Sequence, residues 1–202
     1  MSKWIGYFFF VLILGLMVQV PLQAYHQQKG GWDHRIYCKA VEAVEASKDP
    51  YITANLGLEL SFPYPAIFLK AYQPLCTADP KVYILAHFAV LLLAVSVLIA
   101  LLKWDPMITL AWVFLGYNAA NANYYTGNVG AFEALFFALF LFAFVKKQAA
   151  GTLWLVPASF LKLIPSVMIL PALFAEWGSF RKKAQAALTF GFGLLGLLLL
   201  NF

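Results

Sequence analysis

Long apolar runs alternate with short polar or basic breaks along most of the chain. The runs cover residues 4–20, 82–102, 107–121, 127–145 and 184–202. Most of them approach or exceed the roughly 18 residues that mark a membrane-spanning helix, and helices satisfy their own backbone hydrogen bonds in lipid. The pattern predicts an all-α, polytopic integral membrane protein with one membrane domain over residues 1–202.

The composition strengthens this prediction. Hydrophobic residues make up 63% of the chain and charged residues 11%, whereas soluble domains carry about 25% charged residues. The mean hydropathy is +0.78. Lysine and arginine outnumber aspartate and glutamate by 14 to 9, but they are scattered or lie beside apolar runs. This placement argues against a nucleic-acid partner and indicates membrane topology instead.

Basic residues beside the apolar runs predict the orientation. The positive-inside rule assigns Lys103, residues 146–147 and residues 181–183 to the cytoplasmic side. The first helix, over residues 1–23, is interpreted as retained, with a cytoplasmic N-terminus. The long polar segment 24–81 is then extracytoplasmic. The expected location is a bacterial inner (plasma) membrane.

The polar segment 24–81 is expected to form an extracytoplasmic loop with amphipathic helices. Apolar side chains share one helical face in its first part, namely Ile36, Tyr37, Ala40, Val41 and Val44. Charged residues occupy the opposite face, which predicts a helix lying along the membrane surface. Asp49-Pro50 is expected to end this helix. A second interfacial helix is predicted to begin after the proline-rich stretch 62–65.

Residues 82–202 hold the remaining predicted membrane helices, among which residues 151–176 are apolar but broken by prolines and by Lys162. Both flanks of this segment are basic, so it is expected to enter the membrane and return on the same side. Its tip is predicted around residues 162–165. Broken backbone at membrane depth is tolerated only where it is buried in protein or lines a wet cavity.

Two charged residues could carry chemistry at the membrane. Asp33 follows the first span, at the start of the predicted surface helix, where it could cap the helix or act as an oriented general base. Lys162 lies in an apolar segment, where an unpaired charge is costly. It could snorkel, pair with Glu133, or balance the charge of a phosphate.

Other polar residues allow a direct role or an ordinary structural one. His87 and Glu133 lie inside predicted spans, while Asn128 belongs to an Asn- and Tyr-rich turn over residues 118–128. Amides and aromatic faces suit sugars, although an interfacial belt has the same composition. Cys38 and Cys76 share the outer loop, so a disulfide between them is predicted. No metal-ligand spacing or nucleotide motif is present, and no metal or cofactor is expected.

Several short blocks occur in a fixed order between the apolar runs. They are Asp33-x-x-x-Tyr37, Asp49-Pro50-Tyr51, Phe62-x-Tyr64-Pro65, Gly127-Asn128-Val129-Gly130 and Lys162-Leu163-Ile164-Pro165. In these blocks the chain resembles the polyprenyl-phosphate-sugar-dependent glycosyltransferases of the GT-C class, most closely the mannosyltransferase-like family 87. The resemblance runs from residue 4 to about residue 183. Family members are generally longer, so the chain is expected to correspond to their N-terminal part.

The resemblance implies a GT-C-like helical bundle with its active face outside the membrane. It implies transfer of a mannose-like sugar from a polyprenyl-phosphate carrier to a lipid or glycan acceptor, with membrane lipids as further partners. By position, Asp33 is the family's catalytic base. The expected substrate-binding residues are His34, Arg35, Tyr64, His87, Asn128, Glu133 and Lys162. Two alternatives are a non-catalytic membrane subunit that keeps this architecture and a small transporter of lipids or solutes.

Overall fold

The structure is a computed structural model that describes residues 31–57, 62–101, 126–162, 164–174 and 179–200, with isolated positions among the first nineteen. Across these described residues every regular element is helical, which confirms the all-α class. Two compact units are present. The first combines Met1–Ala89 with Trp104–Val129, and the second combines Val90–Lys103 with Gly130–Phe202. The single membrane domain stays a prediction.

Four helices lie within the described residues 31–101. They are α1 (Trp32–Glu45), α2 (Thr53–Leu56), α3 (Ala66–Thr77) and α4 (Pro80–Leu101). Beyond residue 126, four short elements lie between two longer helices. They are α5 (Gly130–Val145), a 3-10 helix (Ala149–Trp154), α6 (Leu155–Leu161), α7 (Ile164–Val167), α8 (Ile169–Phe174) and α9 (Phe180–Leu200).

Two helices of the described part are long and apolar enough to cross a membrane, Lys81–Leu101 and Phe180–Leu200. They correspond to the predicted runs 82–102 and 184–202. The predicted run 107–121 lies outside the described residues, as do most of the predicted first span and most of the 118–128 turn. The number of spans and the orientation therefore stay predictions.

Helix α1 forms where the sequence predicts an amphipathic helix, but its boundaries differ from the prediction. Gly31 is its N-cap, in the left-handed conformation (φ 73°) and without a side-chain capping bond. The interpretation of Asp33 as the cap is therefore wrong, because Asp33 is already the second helical residue. At the other end the helix stops at Glu45, before the Asp49-Pro50 stop that the sequence suggested, since Ser47 turns into the left-handed conformation.

The apolar face of α1 packs against α3. Its buried residues are Ile36, Tyr37, Ala40, Val41 and Ala43. Val44, assigned to this face from the sequence, is 45% exposed, and Ala43 takes its place. A disulfide between Cys38 and Cys76 joins the two helices, with their Cα atoms 5.3 Å apart. Protein therefore covers the face that the amphipathic pattern suggested for the membrane surface.

The second unit contains the broken segment that the prolines predicted. From Ala149 the chain follows the 3-10 helix and α6 to Lys162, where an extended residue ends α6. It then returns through α7 and α8, so that Ala172 packs in the same cluster as Ala149 and as Ala186 of α9. The segment is a helical hairpin within this unit, and its placement in a membrane stays a prediction.

Small residues let the layers of the second unit approach closely. A Cβ atom on Gly151 would lie only 2.1 Å from the Cβ of Ala143 on α5. On the other side, the hydroxyl of Thr152 donates to the carbonyl of Ala186 at 2.9 Å. The 3-10 helix is thereby held between α5 and α9.

Candidate functional site

Asp33 is held by an amide from a distant part of the first unit. The Asn128 side-chain nitrogen donates to Asp33 Oδ2 at 2.7 Å, although the two residues are 95 positions apart. Asp33 is half-buried in the first turn of α1, where the positive end of the helix dipole stabilises a carboxylate. The hydrogen bond orients the carboxylate through one oxygen, and an ionised carboxylate can accept further hydrogen bonds or a proton on the other.

A glycine allows the turn that carries Asn128 to approach α1 closely. Gly127, with φ 71°, lies where a Cβ would be 2.9 Å from the Cβ of His34. A larger residue at this position would push the turn away from α1. A second glycine, Gly31, makes room for a different group, because its Cβ would lie 2.6 Å from the hydroxyl of Tyr83. Gly127 therefore helps to determine where Asn128 lies relative to Asp33.

His34 is surrounded by aromatic groups. Its ring stacks on Tyr83 with centroids 4.0 Å apart, and its Nδ1 shares a hydrogen bond of 2.9 Å with the hydroxyl of Tyr72. Burial, aided by the nearby His87, lowers the pKa of His34 to about 4. The ring is therefore neutral at physiological pH. A neutral imidazole can still exchange a hydrogen bond with a ligand, and binding of substrate by His34 stays a prediction.

Arg35 is the cationic residue closest to Asp33 in the sequence. It is exposed, and its guanidinium lies 5.7 Å from the centroid of the Trp32 ring, in a cation–π arrangement. A guanidinium keeps its charge at any physiological pH and can bind phosphate through two hydrogen bonds. Asp33 and Arg35 are two positions apart on α1, so their side chains leave different faces of the helix.

An aromatic cluster lies behind Asp33 and joins three of the sequence blocks. Its rings are in edge, tilted or stacked contact, with centroids 5.1–6.3 Å apart. The members are Tyr37, Tyr51, Phe62, Tyr64, Phe68 and Tyr72. The Tyr51 hydroxyl donates to the carbonyl of Tyr64 at 3.1 Å, and the Tyr37 hydroxyl lies 3.5 Å from that of Tyr64. Half-buried Tyr64 is therefore positioned mainly by its neighbours in the cluster.

The negative charge of Asp33 affects the pKa of two tyrosines of the cluster. Burial raises the pKa of both Tyr37 and Tyr72 above the usual range, and the negative charge of Asp33 adds to the effect. The backbone amide of Val129 also hydrogen bonds to the hydroxyl of Tyr37. Both phenols therefore stay protonated, and the Gly127–Gly130 block is connected to the cluster as well as to Asp33.

His87 lies in the interior of the first unit. Its side chain is 1% exposed, and its Nδ1 lies 2.7 Å from the carbonyl oxygen of Tyr83, one helical turn earlier. Its ring makes edge contacts with Tyr72 and Tyr83. Such burial suits a residue that supports the rings around His34. Direct binding of substrate by His87 stays a prediction.

The remaining predicted polar pair belongs to the second unit. Lys162 Nζ lies 3.0 Å from Glu133 Oε2, and the two side chains are 43% and 19% exposed. Pairing with Glu133 was one of the interpretations that the sequence left open. The pair joins the N-terminal turn of α5 to the break between α6 and α7, and a role of either residue in binding substrate stays a prediction.

Within the described part of the chain, no group of three or more His, Cys, Asp or Glu side chains could hold a metal ion.

Comparisons with known proteins assign no family. No protein-family model, no curated protein and no solved structure matches the chain. The resemblance to glycosyltransferases therefore rests on the sequence blocks, and the functional argument rests on the arrangement around Asp33.

Sequence reasoning missed Tyr72 and Tyr83, the two partners of His34. One signal was available, because His34 and Tyr72 each lie four residues before a cysteine of the disulfide and thus one helical turn away from it. His34 and Tyr72 can contact each other only if α1 and α3 run in a similar direction where the disulfide joins them. The sequence did not reveal that direction.

Proposed function

We propose that this protein is a membrane glycosyltransferase that moves a sugar from a polyprenyl-phosphate carrier to a lipid or glycan acceptor. The observation that carries the proposal is the hydrogen bond between Asn128 and Asp33. It brings the first and fourth blocks of the family resemblance together around one carboxylate. A base-assisted transfer to a hydroxyl needs an oriented carboxylate, and half-buried Asp33 is oriented by this hydrogen bond.

The proposed reaction is a direct displacement with inversion at the sugar carbon. Asp33 takes the proton of the acceptor hydroxyl as its oxygen bonds to the anomeric carbon. The bond from that carbon to the phosphate oxygen breaks at the same time, and the phosphate leaves with the electron pair. Arg35 balances the charge that develops on the phosphate. Neutral His34 orients the first turn of α1 through its contacts with Tyr72 and Tyr83. It contributes no charge to the reaction.

Lys162 has a separate part in the proposal. It belongs to the second unit, where its ammonium pairs with Glu133. An ammonium can balance the charge of a phosphate, and we propose that Lys162 does so for the carrier. Unchanged affinity of a Lys162→Gln protein for the carrier would contradict this part of the proposal.

The disulfide supports an extracytoplasmic site. Cys38 lies one helical turn from His34 and five positions from Asp33, and disulfides persist in oxidising compartments. We therefore place the active face on the outer side of a bacterial inner membrane. A polyprenyl-phosphate sugar is a donor suited to that side, because it needs no cytosolic nucleotide.

Replacing Asp33 by asparagine tests the proposed chemistry. The carboxamide keeps the volume and an oxygen that accepts from Asn128, but it cannot take a proton. We expect transfer from radiolabelled polyprenyl-phosphate mannose in membranes to fall by about 10²- to 10⁴-fold. Glu42→Gln is the matched control, since it removes a carboxylate from the exposed face of the same helix. Equal transfer rates for Asp33→Asn and the parent protein would overturn the base assignment.

A transporter of lipids or solutes is the second candidate function. The ion pair at the break between α6 and α7 favours it, because broken helices with charged residues occur at transport sites. Here Lys162→Gln would abolish uptake into vesicles whereas Asp33→Asn would leave it intact. The transferase predicts that Asp33→Asn abolishes activity, so the two variants separate the candidates. A non-catalytic subunit would give neither activity.

A further inference from the structure

A groove in the second unit lies at the end opposite the Lys162–Glu133 pair. It has a volume of about 470 Å³ and runs between the end of α5, the 3-10 helix and the first turns of α9. Polar and aromatic side chains line it, chiefly Lys147, Gln148, Trp154, Lys182 and Gln185. None of these residues takes part in the proposed transfer reaction.

The charge around this groove is strongly positive. Lys147 and Lys182 line it, while Lys146, Arg181 and Lys183 follow or precede them in the sequence. Between residues 134 and 200 the described residues include no aspartate or glutamate, and Glu176 lies outside the described residues. An anion entering the groove therefore meets lysine ammonium groups and two amides, and the described lining of the groove contains no carboxylate.

Apolar surface adjoins the charged lining. Trp154 is 41% exposed and Leu153 50% exposed, and the indole of Trp154 stacks on Phe136 with centroids 6.3 Å apart. The helix that forms the other wall, Phe180–Leu200, is apolar enough to cross a membrane. A ligand with an anionic head and hydrocarbon chains would match both surfaces, because tryptophan and lysine beside a membrane helix lie at the headgroup level.

Lys147 occupies its position at a conformational cost. It has φ 56°, the left-handed conformation in which glycine is usual after a helix. The amides of Lys147 and Gln148 close the end of α5 by donating to the carbonyls of Phe144 and Ala143. A glycine would serve this turn better than lysine. The charge of Lys147 can therefore be removed by a change that also relieves the backbone.

We propose that this groove binds the headgroup of an anionic phospholipid. The phosphate lies between Lys147 and Lys182, the amides of Gln148 and Gln185 bind its oxygens or the rest of the headgroup, and the acyl chains follow the apolar side of Trp154 and α9. The site is independent of the proposed transferase chemistry, since its residues belong to the second unit and lie away from Lys162.

Lipid binding to the purified full-length chain tests this site. Native mass spectrometry in detergent would measure binding of phosphatidylglycerol and of phosphatidylcholine as titrants. We expect phosphatidylglycerol to bind in preference, and we expect Lys147→Gly and Lys182→Gln each to weaken its binding about five-fold. Binding of phosphatidylcholine should be the same in all proteins.

Two controls separate the site from general effects. Ser47→Gly makes the same backbone change at another left-handed position (φ 57°) without removing charge, and Lys70→Gln removes an exposed lysine of the first unit. Both should bind phosphatidylglycerol like the parent. Lys147→Gly should unfold at the parental temperature or above it, because glycine suits the left-handed turn. Weaker lipid binding by a variant with this unfolding temperature would then be due to the lost charge and not to misfolding.

Three results would overturn the proposal. The first is equal phosphatidylglycerol binding by the parent and by both groove variants. The second is equal binding of the two lipids by the parent. The third is displacement of the lipid by inorganic phosphate at equal concentration, which would assign the groove to a free anion.

Discussion

Neighbouring residues at the start of α1 differ in what they can contribute to a reaction. Asp33 is half-buried and hydrogen bonded to Asn128, while burial lowers the pKa of His34 to about 4. The sequence suggested both as site residues, but it could not give the protonation state of His34. That state depends first on the burial of the ring and then on His87, and both result from packing against other helices.

Glycine substitutions measure how tightly the turn at Gly127 packs on α1. Gly127 and Gly57 have similar left-handed φ angles of 71° and 62°. A Cβ added at Gly127 would lie 2.9 Å from the Cβ of His34, whereas a Cβ added at Gly57 would have no neighbour within 4 Å. Gly57→Ala should therefore cost about 1–2 kcal/mol of unfolding free energy for the backbone alone. Gly127→Ala should cost a further 1–3 kcal/mol, roughly, for overpacking.

Thermal unfolding of the two alanine variants in the same detergent checks this difference. Equal losses for Gly127→Ala and Gly57→Ala would show that the turn does not press against His34. Transfer activity gives a second measurement, since a displaced turn also moves Asn128 away from Asp33.

At the scale of elements, the amphipathic pattern predicted α1 and the proline-rich entry predicted α3. Their contact was partly predictable, because Cys38 and Cys76 were expected to bridge. The partner of the apolar face was not predictable from periodicity, since a lipid surface and a second helix select the same pattern. In the structure that face packs on α3, so the disulfide and the buried apolar contact both stabilise the packing of α1 on α3.

Removing the disulfide should loosen α1 from α3. The bridge closes a separation of 38 residues, for which the chain-entropy model gives about 4 kcal/mol of stabilisation. Replacing both cysteines by serine should lower the unfolding temperature. A reducing agent should lower the unfolding temperature of the parent protein but leave that of the double-serine variant unchanged. An unfolding temperature in the parent that is indifferent to reduction would contradict this prediction.

At the scale of the whole molecule, the apolar runs predicted the helical class and the two long helices. The proline positions and Lys162 predicted the broken hairpin of residues 149–174, because proline cannot continue a helix interior. The hydrogen bond between Asp33 and Asn128 was not predictable, since no periodic pattern connects residues so far apart. Membrane sidedness is inferred from the positive-inside rule and from the disulfide, and a separate experiment tests it.

Cysteine accessibility provides that test. Both native cysteines are in the disulfide, so a thiol reagent reacts only with an introduced cysteine. Ala150→Cys and Ser179→Cys place thiols at exposed positions on either side of the hairpin, and both should label from the same side of the membrane, the cytoplasmic one. Lys70→Cys is the control and should label from the opposite side. Labelling of positions 150 and 179 from different sides would contradict the re-entering hairpin.

The distance along the chain between Asp33 and Asn128 also affects how the protein is made. Synthesis adds residues at about 5–20 per second, so the 95 positions between the two correspond to roughly 5–20 seconds on the ribosome. During this interval the nascent chain contains the carboxylate without the amide that orients it. A chain stalled before residue 128 therefore cannot assemble the proposed centre, however well its first helices have folded.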